Sequence, residues 1–190
     1  MLDDLFNELL RLSLTLRSNY LQSLGDKTDK WEEQFKGLNQ PIPELFIVIY
    51  NKVSGTKRGI KEQKLMDFIP GYRLIHVSDL MMEKKNLDSI LSDKDLIDNK
   101  IILPVLANYS SDFIYYCINM KDEEKIYSLM HDSIDPVLIY DSPAKFFETV
   151  CEFYKQGVYL VDADGYLDSD INKESIVGSK INPGITYWTE

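Results

Sequence analysis

Four aspartates, Asp162, Asp164, Asp168 and Asp170, crowd nine residues around Gly165. Alternating carboxylates are the raw material of a calcium loop. Such a loop wants acids at positions 1, 3 and 5, glycine at 6 and a bidentate glutamate at 12. Counted from Asp162, position 5 is Tyr166, position 6 is Leu167 and position 12 is Lys173, so the register is wrong for calcium. A β-turn at Asp164-Gly165 is the better reading, with its carboxylates offered as a docking edge for a cationic surface. The remaining reactive types are sparse. His76 and His131 are too few for a histidine metal site or a triad. Cys117 and Cys151 lack zinc spacing and sit in apolar segments, where a free thiol behaves as a small hydrophobe. Ser54-Gly55-Thr56-Lys57 lacks the first glycine and the spacing of a phosphate loop. Among 31 acids some carboxylate pair always exists, so a hydrolase pair has no specific signal. These readings predict no catalytic residue, no cofactor and no metal.

What remains is electrostatic. The chain of 190 residues carries a net charge of −10. Residues 1–90 sum to zero, and residues 91–190 hold 18 acids against 8 lysines, with no arginine after Arg73. Such a chain is a poor general nucleic-acid binder, because phosphate affinity comes from clustered Lys and Arg. The excess either keeps the protein soluble or forms an acidic face that attracts a basic partner. The candidate contacts are Asp112, Asp132, Asp135, Asp162, Asp164, Asp168 and Asp170, with Tyr109 and Phe113 as aromatic anchors; the plainer reading of those aromatics is sheet packing. The N-terminus carries Asp3, Asp4 and Glu8 where a signal peptide would be basic, and no apolar run approaches the roughly 18 residues of a membrane span. A reducing cytoplasm, without membrane contact, is the expectation.

The elements that must position these residues follow from periodicity. Residues 2–24 predict an amphipathic helix on Leu2, Leu5, Phe6, Leu9, Leu12, Leu16, Tyr20 and Leu24, stopped by Gly25. A short helix is expected around Trp31–Phe35, and another between Pro43 and Gly55. Residues 56–64 predict a basic, mobile loop with Lys57, Arg58, Lys61 and Lys64. Residues 65–75 predict strand, turn, strand about Pro70-Gly71. A helix over 79–91 capped by Ser78 comes next, then acidic turns at Asp93, Asp95 and Asp98. The runs 101–107 and 113–120 predict a hairpin, with Pro104 marking an edge or a bulge. Strands are predicted over 125–131 and 136–140. Ser142-Pro143 starts a helix that Gly157 ends. A short strand over 158–161 and an acidic turn over 162–170 follow. The fold class is α+β: an antiparallel, meandering sheet with helices mainly on one face. Residues 1–40 read as a helical addition packed on a domain of 41–190.

Five segments, in order, resemble the SUKH superfamily, the SMI1/KNR4 family. They are Ile42-Pro43-Glu44 opening a helix; Phe68-Ile69-Pro70-Gly71-Tyr72-Arg73-Leu74; Ile102-Leu103-Pro104-Val105 followed by Asp112 to Ile118; Val137 to Tyr140 with Ser142-Pro143; and the tail from Gly157 to Asn182-Pro183. The loop Asn108-Tyr109-Ser110-Ser111-Asp112 departs from the glycine-rich loop frequent in the family, and the 2–24 helix lies outside its core pattern. The resemblance implies a non-catalytic module. In bacteria it implies an immunity protein that binds a toxin, often a nuclease, and in fungi a regulator of cell-wall synthesis and signalling.

Overall fold

In a computed structural model, residues 1–38, 40–92, 101–133 and 135–189 are described. The acidic turns expected at Asp93, Asp95 and Asp98 lie outside them. At the centre is a five-stranded antiparallel meander: β1 (Arg73–Leu74), β2 (Ile101–Ala107), β3 (Phe113–Ile118), β4 (Glu124–Leu129) and β5 (Val137–Tyr140), hydrogen-bonded in sequence order. β2 and β3 are apolar and aromatic runs with both faces covered, which suits buried strands. Pro104 stands at a bulge: the register slips between Pro104 and Leu106, and the carbonyl of the unopposed Val105 accepts from the Ile75 amide at 3.1 Å. A second slip in the β4–β5 ladder leaves Ile139 unopposed. Its carbonyl accepts the Trp188 indole N–H at 2.7 Å.

Alternation puts Tyr116, Ile126 and Tyr140 on one face of the sheet. That face receives the helices α3 (Glu44–Tyr50) and α5 (Pro143–Lys155), and α1 (Leu2–Leu16) packs on both of them. Phe46 meets Tyr116 edge-on at 5.8 Å, Phe146 meets Tyr140 at 5.2 Å, and Phe6 meets Phe147 at 5.1 Å. Phe6 and Leu9 are fully buried in the same core cluster as the sheet; burying one such side chain contributes about 1.5–3 kcal/mol. α4 (Leu80–Ser92) packs on β2 through Leu80, Leu87 and Leu91. Ser142 caps α5 by accepting the Lys145 amide, with Pro143 in its first turn.

The structure departs from expectation in four places. The 2–24 helix breaks after Leu16 and resumes as α2 (Leu21–Leu24). Arg17 leaves helical geometry and turns inward, donating to the Asp67 carbonyl at 2.8 Å. Residues 65–75 start at the end of a 3₁₀ turn (Gln63–Leu65) and hold one strand, β1, after a tight turn in which Ile69 bridges Tyr72 around Gly71. Val77–Asp79 is a 3₁₀ turn ahead of α4, and the cap there is the His76 ring, which accepts the Ser78 amide; Ser78 itself is not the cap. Residues 162–170 are not one turn. β6 (Tyr159–Val161) pairs with β7 (Leu167–Ser169), and Asp170 caps a helix that the sequence reading missed, α6 (Ile171–Ile181).

Candidate functional site

The β2–β3 and β4–β5 loops lie at the same end of the meander, and Asp112 ties them together. One carboxylate oxygen accepts both the His131 amide and His131 Nδ1 at 2.8 Å, and the other accepts Asn108 Nδ2 at 2.6 Å. Partial burial pushes the Asp112 carboxyl up, but these hydrogen bonds outweigh it and hold the group below its ordinary range. The same contact raises His131 above its ordinary value. Asp112 is therefore committed to holding two loops in place. Asp132 and Asp135, beyond His131, are exposed and have no ion pair among the described residues. Phe113 is buried in the sheet and offers no anchor.

The β6–β7 hairpin divides its four aspartates by task. Asp162 Oδ1 accepts the amides of Asp164 and Tyr166 at 2.9 and 2.8 Å, closing the turn at which Gly165 adopts φ +92°. Only glycine takes that conformation without strain. Asp170 accepts the Lys173 amide at 3.2 Å as the α6 cap. Asp164 and Asp168 remain exposed, with no ion pair among the described residues. No group of acids, histidines or cysteines among the described residues is arranged to hold a metal.

Tyr109, at the tip of the β2–β3 loop, is 75% exposed. Its ring lies 5.7 Å from the Arg73 guanidinium, which is itself held by Glu83 at 2.5 Å. Its hydroxyl reaches the Met66 sulfur at 3.7 Å. Tyr109 and Tyr166 line a groove of about 520 Å³ together with Gly59, Ile60, Gln63, Met66 and Asp67. Burial raises the Asp67 carboxyl. A Cβ on Gly165 would stand 3.1 Å from Lys64, so the 162–166 turn rests against the basic segment. The structure thus brings Tyr109 together with the β6–β7 turn, and places Asp132 and Asp135 on the neighbouring loop. Residues 56–64, expected to be a basic, mobile loop, are largely irregular backbone and, with Met66 and Asp67, border the groove and its neighbouring clefts. Three anchors fix their start: the Lys57 amide donates to the Ser23 carbonyl at 2.8 Å, the Thr56 amide to the Leu74 carbonyl at 2.9 Å, and Arg58 pairs with Asp79. The sequence signal for this wall was Gly55 and Gly59 bracketing two cations.

No family model and no curated protein matches this chain. The site must be read from its own chemistry. Burial pushes the Cys117 and Cys151 thiols up to about 11, which keeps both protonated and inert at neutral pH. Burial and nearby Arg58 lower His76, whose ring is engaged with Ser78. The geometry offers an exposed aromatic, a groove and free carboxylates, which are the parts of a binding surface. No helix among the described residues is long and apolar enough to cross a membrane.

Proposed function

We propose that the protein is a non-catalytic protein-binding module of the SUKH kind, acting in the cytoplasm as an immunity protein that binds and neutralises a basic toxin domain, in particular a nuclease. One observation carries this reading. A large aromatic side chain, Tyr109, stands three-quarters exposed beside a groove, and the exposed carboxylates of Asp132, Asp135 and Asp164, on the adjoining loops, and of Asp168, on β7, have no ion pair among the described residues. Tyrosines of this kind are enriched among residues that dominate binding energy. Free carboxylates around them give a basic partner long-range attraction and a preferred orientation. A nuclease presents a basic cleft to phosphate, and an acidic inhibitor complements that field. Asp112 orders the loop that presents Tyr109, so its role is positioning.

The test begins with affinity capture from the native host, the protein as bait, and mass-spectrometric identification. The captured domain is then purified and its activity titrated with the protein. The expected result is a basic domain whose activity is lost at one-to-one stoichiometry, with binding weakened about tenfold or more by Tyr109→Ala, the loss typical of a binding hot spot. Capture of a cell-wall enzyme whose activity is modulated and not abolished would move the reading to a regulatory scaffold. Binding unchanged by Tyr109→Ala would remove this surface.

A further inference from the structure

The charge of the groove wall runs against that of the whole molecule. Residues 56–73 hold Lys57, Arg58, Lys61, Lys64 and Arg73 against Glu62 and Asp67, a local +3 in a chain of −10. Asp79 holds Arg58 and Glu83 holds Arg73. Lys57, Lys61 and Lys64 are exposed, and none has an ion pair among the described residues. A further cation lies in the layer beneath. Arg17 is buried, donates to the Asp67 carbonyl at 2.8 Å and to the Tyr154 hydroxyl at 3.2 Å, and lies 3.9 Å over the Tyr20 ring. It has no carboxylate in ion-pair range among the described residues. Its charged neighbour is the Asp67 carboxyl, which Arg17 pulls down against the upward push of burial.

The shape is a track. The main groove adjoins two clefts of about 240 Å³ each. One is bordered by Thr56, Arg58 and Arg73, the other by Gln22, Lys61 and Leu65, and Gly59 lines all three. Lys57 and Arg58 border both clefts, with Arg73 on one and Lys61 on the other, and Lys64 stands beside Gly165. A compact phosphate needs convergent donors, usually backbone amides of a glycine-rich turn or a helix N-terminus, whereas the cations here are side chains spread over two clefts. A nucleic-acid strand would meet the −10 of the whole molecule. A short extended peptide meets only the local field, and its carboxylates can fall at intervals on the lysines. The floor of Ile60, Met66, Tyr109 and Tyr166 suits one apolar side chain between them.

We propose that this track is a docking site for a short acidic peptide segment of a protein partner, its carboxylates on Lys57 and Lys61 and an apolar side chain on the Tyr109–Met66 floor. The site stands whether or not the toxin reading does, because it depends on the basic wall and not on the acidic rim.

The probe is a short fluorescein-labelled peptide of glutamates with two interspersed leucines, followed by polarisation at low and physiological salt. A matching lysine-leucine peptide, inorganic triphosphate and single-stranded RNA serve as competitors. The expected result is saturable binding of the acidic peptide alone, weakened about tenfold or more by Lys57→Glu with Lys61→Glu, which is about 1.4 kcal/mol or more. Tyr109→Ala weakens it as well, whereas Asp164→Asn with Asp168→Asn does not. Both lysines are exposed, so circular dichroism melts should match the wild type and separate lost binding from lost folding. Absence of saturable binding overturns the proposal. So does binding indifferent to charge reversal, or displacement by triphosphate or RNA at equal charge. Sedimentation showing self-association that charge reversal abolishes would assign the track to a second copy of this chain and overturn it equally.

Discussion

Replacing the four hairpin aspartates by asparagine and replacing two of them by alanine should have opposite consequences, and the difference can be worked from the hydrogen bonds. Asp162 accepts two backbone amides and Asp170 accepts one. In each case the acceptor is a side-chain oxygen, which the asparagine amide also supplies; asparagine and aspartate are near-equal caps. The set Asp162→Asn, Asp164→Asn, Asp168→Asn and Asp170→Asn should therefore melt within a few degrees of wild type while removing four negative charges. Alanine has no acceptor. Asp170→Ala should cost about 1 kcal/mol as a lost helix cap. Asp162→Ala should cost a similar ~1 kcal/mol, since its turn loses two acceptances. The pair should lose about 2 kcal/mol, or about 4–8 °C for a chain of this size. Thermal and urea melts measure the stability arm. Stopped-flow association with the captured toxin domain across a salt series measures the charge arm. There the asparagine set should flatten the dependence of on-rate on salt, because exposed charges beyond about 8–10 Å are screened at physiological ionic strength, and leave the off-rate less affected. If the asparagine set melts as low as the alanine pair, the carboxylates hold the hairpin by charge and the argument fails. If its salt slope matches wild type, the hairpin is off the approach path.

Three further outcomes are expected. The Asp112–His131 contact should stabilise the fold most between about pH 4 and 6.5. Asp112 is depressed below its ordinary 3.8, so its contribution is full above that value and lost as pH falls through the depressed one. His131 is raised above 6.5, so its contribution is full below 6.5 and lost as pH climbs through the raised value. The difference in urea midpoint between wild type and His131→Ala, taken across pH, should peak in that window; a flat difference would refute the linkage. Gly55→Ala should cost more than about 2 kcal/mol in urea unfolding. Gly55 has φ +95°, and a Cβ there would overlap the Ile75 carbonyl and stand 2.6 Å from His76 Cα, backbone that cannot give way. Gly178→Ala should destabilise by about 1 kcal/mol net, against the helix propensity that favours alanine by about 1 kcal/mol. The Trp188 ring occupies the space a Cβ needs, and its bond to Ile139 with Tyr140 and Phe153 beside it holds it there; a raised melting temperature would refute this.

The elements legible in the sequence were those whose signal is local. β2, β3 and β5 are apolar runs, β4 mixes polar residues with Ile126, Tyr127 and Leu129, polar loops separate them, and α5 carries Ser142, Pro143 and Gly157 as punctuation. α6 escaped because its buried face is narrow: only Val177 and Gly178 are buried along it. A glycine inside a helix, chosen to admit Trp188, reads locally as a breaker. Asp170 before Ile171, with Val177 and Ile181 four apart, was the cue available. The break at Arg17 was illegible because its cause, the Asp67 carbonyl, is 50 residues away. The site was half legible. Tyr109 in a polar loop and the exposed acids could be named as candidates, but which aspartates were already spent on backbone amides depended on the hairpin and cap they build. That the basic loop forms the groove wall was not legible, because its anchors to Ser23, Leu74 and Asp79 are all tertiary.

The hydrogen bond from Trp188 to Ile139 also orders events in time. The unopposed carbonyl on the last strand leaves the ribosome 49 residues before the indole that covers it. At about 5–20 residues per second of synthesis, that interval is about 2–10 s. Through it the meander exists with its outer border unsealed, and an uncovered strand border is a template for pairing with another nascent chain. The tail from Ile171 to Trp188 thus acts as a latch that shuts last. Ribosomes crowded on one message hold several such unlatched sheets side by side, so slow decoding between Ile139 and Trp188 would raise aggregation without altering the finished protein at all.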